Sequence, residues 1–155
     1  MPHGKYTGFT NQTNTASSTA PLCNLSTVNT TALRRLAIYE FVIGSDATPA
    51  DAACKYAWQR TTVNFGTPTA ITPVAIDPAD PASLALFSAP GGTAPTITAN
   101  STVYQVAVNQ RATYRWIAAP DSELIVPATT ANGLALLSLV TTATSNTVIS
   151  VSWCE

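Results

Sequence analysis

Charge is scarce in this chain. Of its 155 residues only 10% are Asp, Glu, Lys or Arg, against ~25% in an average soluble domain. The net charge is -1, with seven Lys and Arg in all. No broad basic field is available, which argues against sequence-independent nucleic-acid binding and against attraction to an anionic membrane surface. Histidine occurs once, as His3, so a Ser-His-Asp or Cys-His arrangement would need the start of the chain to fold back into a pocket. The G-x-S-x-G, H-E-x-x-H, C-x-x-C and P-loop patterns are all missing. No apolar run reaches the roughly 18 residues of a membrane-spanning helix. Met1 to Thr15 lacks the apolar core of a Sec signal, so synthesis and folding in a cytoplasm are expected. Cysteine is sparse and odd in number, at positions 23, 54 and 154. Free thiols are the first reading and a single bridge, such as one between the cysteines nearest the two ends, the second. Three such scattered thiols do not suggest a metal site, and no cofactor is implied.

What is present is neutral. Thr and Ala occur 25 times each and 46% of the residues are hydrophobic, a balance opposed to intrinsic disorder. The length suits one domain. Residues 1–32 are rich in Thr, Asn and Ser and have few apolar anchors, which predicts an extended N-terminal arm ahead of a domain at 33–155. Leu36 to Ile43 and Tyr56 to Val63 are rich in β-formers and read as strands. Pro68 and Pro73 confine any strand near them to an edge. Thr48-Pro49-Ala50-Asp51 resembles a helix start, as does Asp80 ahead of Pro81, so one or two short helical turns are expected. Tyr104, Val106 and Val108 alternate with polar or small residues, and Tyr114 and Trp116 face away from Arg115 and Ile117. Pro120-Asp121 turns the chain before a brief strand at Leu124–Val126. Leu134 to Thr141 and Thr147 to Trp153 read as a hairpin, with Ile149, Val151 and Trp153 on one face. Short strands with Pro, Gly and Asn breaks predict an all-β fold, a jelly-roll-like β-sandwich.

Candidate chemistry is thin. Asp121 and Glu123 share a strand face in this reading, and Asp77 and Asp80 sit in a proline-spaced turn. Either pair would suffice in kind for glycoside hydrolysis, but Asp at such positions ordinarily begins turns. Arg111 and Arg115 are expected to pair with carboxylates. Trp58, Tyr114 and Trp116 are the aromatic platforms that a glycan-binding head-fibre or tail component would use. For a binding role the arm supplies Phe9, Leu22, Leu25 and Val28, and Arg34-Arg35 follow it as a candidate clamp for an acidic loop.

Several segments carry a family resemblance: Ile38-Tyr39-Glu40-Phe41-Val42-Ile43-Gly44-Ser45 with Thr48-Pro49-Ala50-Asp51, Ile76-Asp77-Pro78-Ala79-Asp80-Pro81, Asn109-Gln110-Arg111-Ala112-Thr113-Tyr114-Arg115-Trp116 and Pro120-Asp121-Ser122-Glu123-Leu124. From Leu33 to Glu155 the chain resembles small capsid decoration (cement) proteins of tailed bacteriophages, which have β-sandwich folds. The resemblance implies a non-enzymatic virion protein on the capsid surface, bound to the major capsid protein and stabilising the shell. A homo-oligomer, dimer or trimer, is expected. It carries no site motif onto particular residues here, and the Thr/Asn-rich start has no counterpart in it. A tail-tube or head-completion protein is the remaining alternative.

Overall fold

The computed structural model describes residues 4–14, 19–27, 32–139 and 144–155. Twelve strands run through them: β1 (Lys5–Asn14), β2 (Ala20–Thr27), β3 (Leu36–Asp46), β4 (Ala53–Val63), β5 (Thr69–Ile71), β6 (Val74–Ala75), β7 (Ala85–Ala89), β8 (Thr96–Asn109), β9 (Tyr114–Ile117), β10 (Leu124–Val126), β11 (Gly133–Ser138) and β12 (Ser145–Cys154). They form two six-stranded sheets. Sheet A has the order β10-β3-β12-β1-β6, with β9 also paired to β3, and sheet B the order β5-β7-β2-β11-β4-β8. The strand pairs are antiparallel. The all-β sandwich expected from the strand pattern is therefore present.

Side-chain alternation explains which face each strand buries. In β12, Thr147, Ile149, Val151 and Trp153 point inward while Val148, Ser150 and Ser152 do not. β3 buries Leu36, Ile38, Phe41 and Ile43, a spacing that breaks strict alternation. The register against β12 shifts between Ser152 and Trp153, leaving Tyr39 as the extra residue of a bulge. That bulge returns Phe41 to the core and accounts for a segment that looks apolar on both faces. Phe41 then stacks on Trp116 at 5.1 Å and meets Trp58 edge-on at 5.7 Å and Tyr104 at 5.5 Å. Farther along the core, Trp153 packs between Tyr6 and Phe87, at 6.3 and 5.9 Å.

Three expectations are corrected. The first concerns the arm. β1 lies inside sheet A, paired to β12 over its whole length, and β2 lies inside sheet B between β7 and β11. Leu22 and Leu25 are core residues at 1% and 0% exposure. After Tyr6 the inward positions of β1 are Gly8, Thr10 and Asn14, small or polar residues that carry little hydrophobic signal. Val28 lies outside the described residues.

The second correction concerns the helical turns, since no helix occurs among the described residues. Groups at Thr48–Asp51 are committed elsewhere: the Ala50 backbone N–H donates to Gln110 Oε1 (3.0 Å) and the Asp51 side-chain carboxylate accepts from Asn109 Nδ2 (2.7 Å). After Asp80 the amides of Leu84 and Ala85 donate to the Glu155 carboxylate at 3.0 and 3.2 Å, and β7 begins. The third is the hairpin. β11 pairs with β2 and β4 in one sheet, and β12 with β1 and β3 in the other, so the two cross the sandwich without pairing. The edge positions expected beside Pro68 and Pro73 do hold, for β5 and β6.

Candidate protein-binding face

The two sheets present very different outer surfaces. Outside sheet B, the centre is covered. Asn64, just after β4, accepts at Oδ1 from Asn24 Nδ2 (2.8 Å), Ser88 Oγ (3.1 Å) and the Phe65 amide (2.8 Å), while Thr61 Oγ1 donates to Asn24 Oδ1 (3.2 Å). This polar ladder ties the chain after β4 to the sheet, and Asn24, Ser88, Ala57, Ala135 and Phe65 are all buried. The polar residue Asn24 of β2 thus belongs to a buried network, and Ser26 is buried beside it with its hydroxyl unpaired, so neither forms part of a solvated arm.

Outside sheet A the surface is open. The registers place Thr7, Phe9 and Asn11 of β1 beside Ser152, Ser150 and Val148 of β12, and these beside Glu40, Val42 and Gly44 of β3. Val74 stands opposite Thr7 and Ile117 opposite Glu40. Five of the seven exposed large apolar side chains of the described residues lie on this face: Phe9 (69% exposed), Val74, Ile76, Ile117 and Val148. Charge is pushed to its margins. Arg115 Nε donates to Glu40 Oε1 at 2.6 Å on the β9 side, and Lys5 Nζ lies 5.8 Å from the Tyr39 ring centre at one end. Asp46 accepts from Asn11 Nδ2 at 3.1 Å towards the other end. Between them the sheet offers hydroxyl, amide and apolar groups, with Phe9 projecting from the β1 side.

Of the binding residues expected from sequence, Phe9 is therefore exposed and well placed, whereas Leu22 and Leu25 are enclosed and cannot meet a partner. Arg34 and Arg35 are exposed just before β3. Arg34 borders a shallow surface depression shared with Thr27, Ala32, Leu33, Leu36 and Leu84 that encloses no room even for a water molecule, and so is no ligand pocket. The face residues Val74, Ile76, Ile117 and Val148 were not among the binding residues expected from sequence. Their alternation was legible, but which sheet surface would be covered was not.

The remaining candidates have structural employment. Arg111 pairs with Asp51 at 3.8 Å and Arg115 with Glu40. Asp77 accepts from the Ala79 amide at 2.9 Å and caps its own turn. Asp121, with φ 63°, occupies the third position of a turn closed by Ser122 N–H to Ala119 O at 3.0 Å, with Pro120 before it as turns of this kind favour. Asp121 and Glu123 precede β10 and lie on no strand. Trp58 is 0% exposed, which removes it as a stacking platform. Tyr114 and Trp116 are half-buried around Phe41. The Tyr104 and Tyr114 hydroxyls touch; burial first, then that contact and the Tyr114 charge, push the Tyr104 phenol up to about 12.

All three cysteines are free. Burial pushes the Cys23 thiol up to about 12, so it resists ionisation and with it nucleophilic chemistry. Among the described residues no group of three His, Cys, Asp or Glu side chains is arranged to hold a metal ion. Comparison of the chain with protein-family models, with curated proteins and with solved structures gives no significant match.

Proposed function

We propose that this chain is a virion structural protein, a capsid decoration or cement subunit that lies with the outer face of sheet A against the outside of a major capsid shell. The observation that carries the reading is the concentration of exposed apolar side chains on that one surface, around Phe9, with the charges held at its margins. Neutral contacts require little ionic desolvation. Many copies on a symmetric lattice gain avidity, so each contact need only be modest.

The finer fold reading is part of the proposal. Strands β1-β12-β3-β9 in one sheet and β2-β11-β4-β8 in the other follow the order made when a long antiparallel ribbon rolls into a jelly roll. On this reading β5, β6 and β7 are an insertion that extends the β1 and β2 side. The burial of Trp58 and the half-burial of Trp116 weigh against the glycan-binding alternative.

The test is thermal. Phage heads assembled with the protein are expected to retain DNA to a higher temperature than heads assembled without it. Release at the same temperature in both would remove the cementing role.

A further inference from the structure

β1 has an open backbone edge. Its far side is paired to β12 from Lys5 to Asn14 with no register shift. On the near side only Tyr6 and Thr7 are paired, to Ala75 and Val74 of β6. Beyond Val74 the chain turns away at Pro73, whose ring fixes φ near about -65°, and β5 lies in the other sheet. Among the described residues, no strand flanks Gly8–Asn14 on this side.

The direction of the free groups follows from two bonds. Gly4 O accepts from Glu155 N–H (3.1 Å) on the β12 side, and Lys5 O accepts from Ile76 N–H (2.8 Å) on the β6 side. Successive residues of an antiparallel strand alternate in this respect. Phe9, Asn11 and Thr13 therefore turn both N–H and C=O to the open edge. Natural edges of this kind are guarded by Lys, Pro, bulges or inward charges. The segment Gly-Phe-Thr-Asn-Gln-Thr-Asn has none of them.

We propose that this edge is a homodimer contact, in which β1 of one copy pairs antiparallel with β1 of a second copy about a two-fold axis at Asn11. The open stretch is itself centred on Asn11, so the pairing places Asn14 of the second copy opposite Gly8, just short of β6. Neither copy has to displace its own β6. Phe9 falls opposite Thr13 of the second copy, and Asn11 opposite its counterpart, each exchanging N–H···O bonds. A two-fold axis sets like against like, which a charged residue at the axis would oppose and Asn11 does not. Sheet A then runs unbroken through both copies, with both Phe9 rings on one surface.

The other long edge strand, β8, is less suited to such pairing. It shifts register three times against β4, and its Asn100 is left-handed at φ 54°, devices that bend an edge away from partners. The inference does not rest on shell binding, and its test needs only the isolated chain.

Analytical ultracentrifugation should give twice the 16.2 kDa chain mass. Asn11→Pro removes an N–H aimed at the edge and leaves the β12 ladder intact, a placement edge strands tolerate; it should sediment as a single chain. Independently of how that variant folds, Asn11→Cys with Cys154→Ser should form a disulfide-linked dimer on mild oxidation. Directly opposed residues sit about 5.5 Å apart at Cα, within disulfide reach. A monomeric or trimeric parent chain, failure of the Asn11→Cys variant to cross-link, or a dimer abolished by Gln105→Pro in β8 but not by Asn11→Pro would each overturn the proposal.

Discussion

Gly8 faces inward from β1, and a Cβ built there would lie 2.5 Å from Cδ1 of Phe87 in the opposite sheet. The missing side chain is what lets the ring seat. Gly8→Ala should lower stability by about 1–3 kcal/mol through overpacking, read from urea unfolding, with part recovered when Phe87→Leu is added. Glu155 illustrates the reverse case of a buried polar group with full employment. At 7% exposure, it receives the Leu84 and Ala85 amides, the Ser83 hydroxyl and, at 3.4 Å, Trp153 Nε1. Glu155→Ala strands those donors and should cost roughly 2–3 kcal/mol. Arg115→Ala should cost about 1 kcal/mol, because the Arg115 side chain is 61% exposed while its partner Glu40 is only 24% exposed. Alkali should also act at single residues. Cys23 and Tyr104 both have native pKa values raised to about 12, from ordinary values of 9.0 and 10.0. The native state therefore holds these protons more tightly than the unfolded chain. Their contribution is complete below about pH 9 and is lost as pH rises towards 12. The urea midpoint should stay level up to about pH 9 and fall above it.

β1 and β2 decide how the start of the chain behaves. A removable arm would leave a folded body behind, whereas a chain lacking residues 1–14 loses a strand that spans β12 and carries Tyr6 onto Trp153. Such a deletion should abolish the cooperative thermal transition by circular dichroism. This is also where sequence reasoning had least to work on. β12 was legible because Ile149, Val151 and Trp153 alternate with Ser150 and Ser152. β1 was illegible because its inward residues include Gly8, Thr10 and Asn14, chosen by the space left under Phe87 and neighbouring groups. β2 buries both faces from Leu22 to Thr27, so Asn24 and Ser26 disguise it as a polar segment. The hairpin misreading has a similar cause, since two adjacent strands look alike in sequence whether they pair or cross between sheets.

At the scale of the whole molecule, the centre of one outer surface is covered at the Asn24–Asn64–Ser88 ladder and the other is left open beside Phe9. Phe9→Asp should leave unfolding free energy within about 0.5 kcal/mol, as at other exposed positions. It should reduce occupancy on heads by roughly 10- to 100-fold in affinity, the worth of burying one such ring; quantitative gels of purified particles would show it. Unchanged occupancy would move the contact off this face. The sequence alone determined that the chain is all-β, charge-poor and supplied with alternating strands at β8, β9 and β12, because periodicity and composition are local properties. Tertiary structure decided which strands share a sheet, that Leu22 and Leu25 are core while Phe9 is surface, and that sheet A is the open face. Those outcomes depend on what packs across the sandwich and on where the crossover after β4 lies, and neither is written in the residues of any one strand.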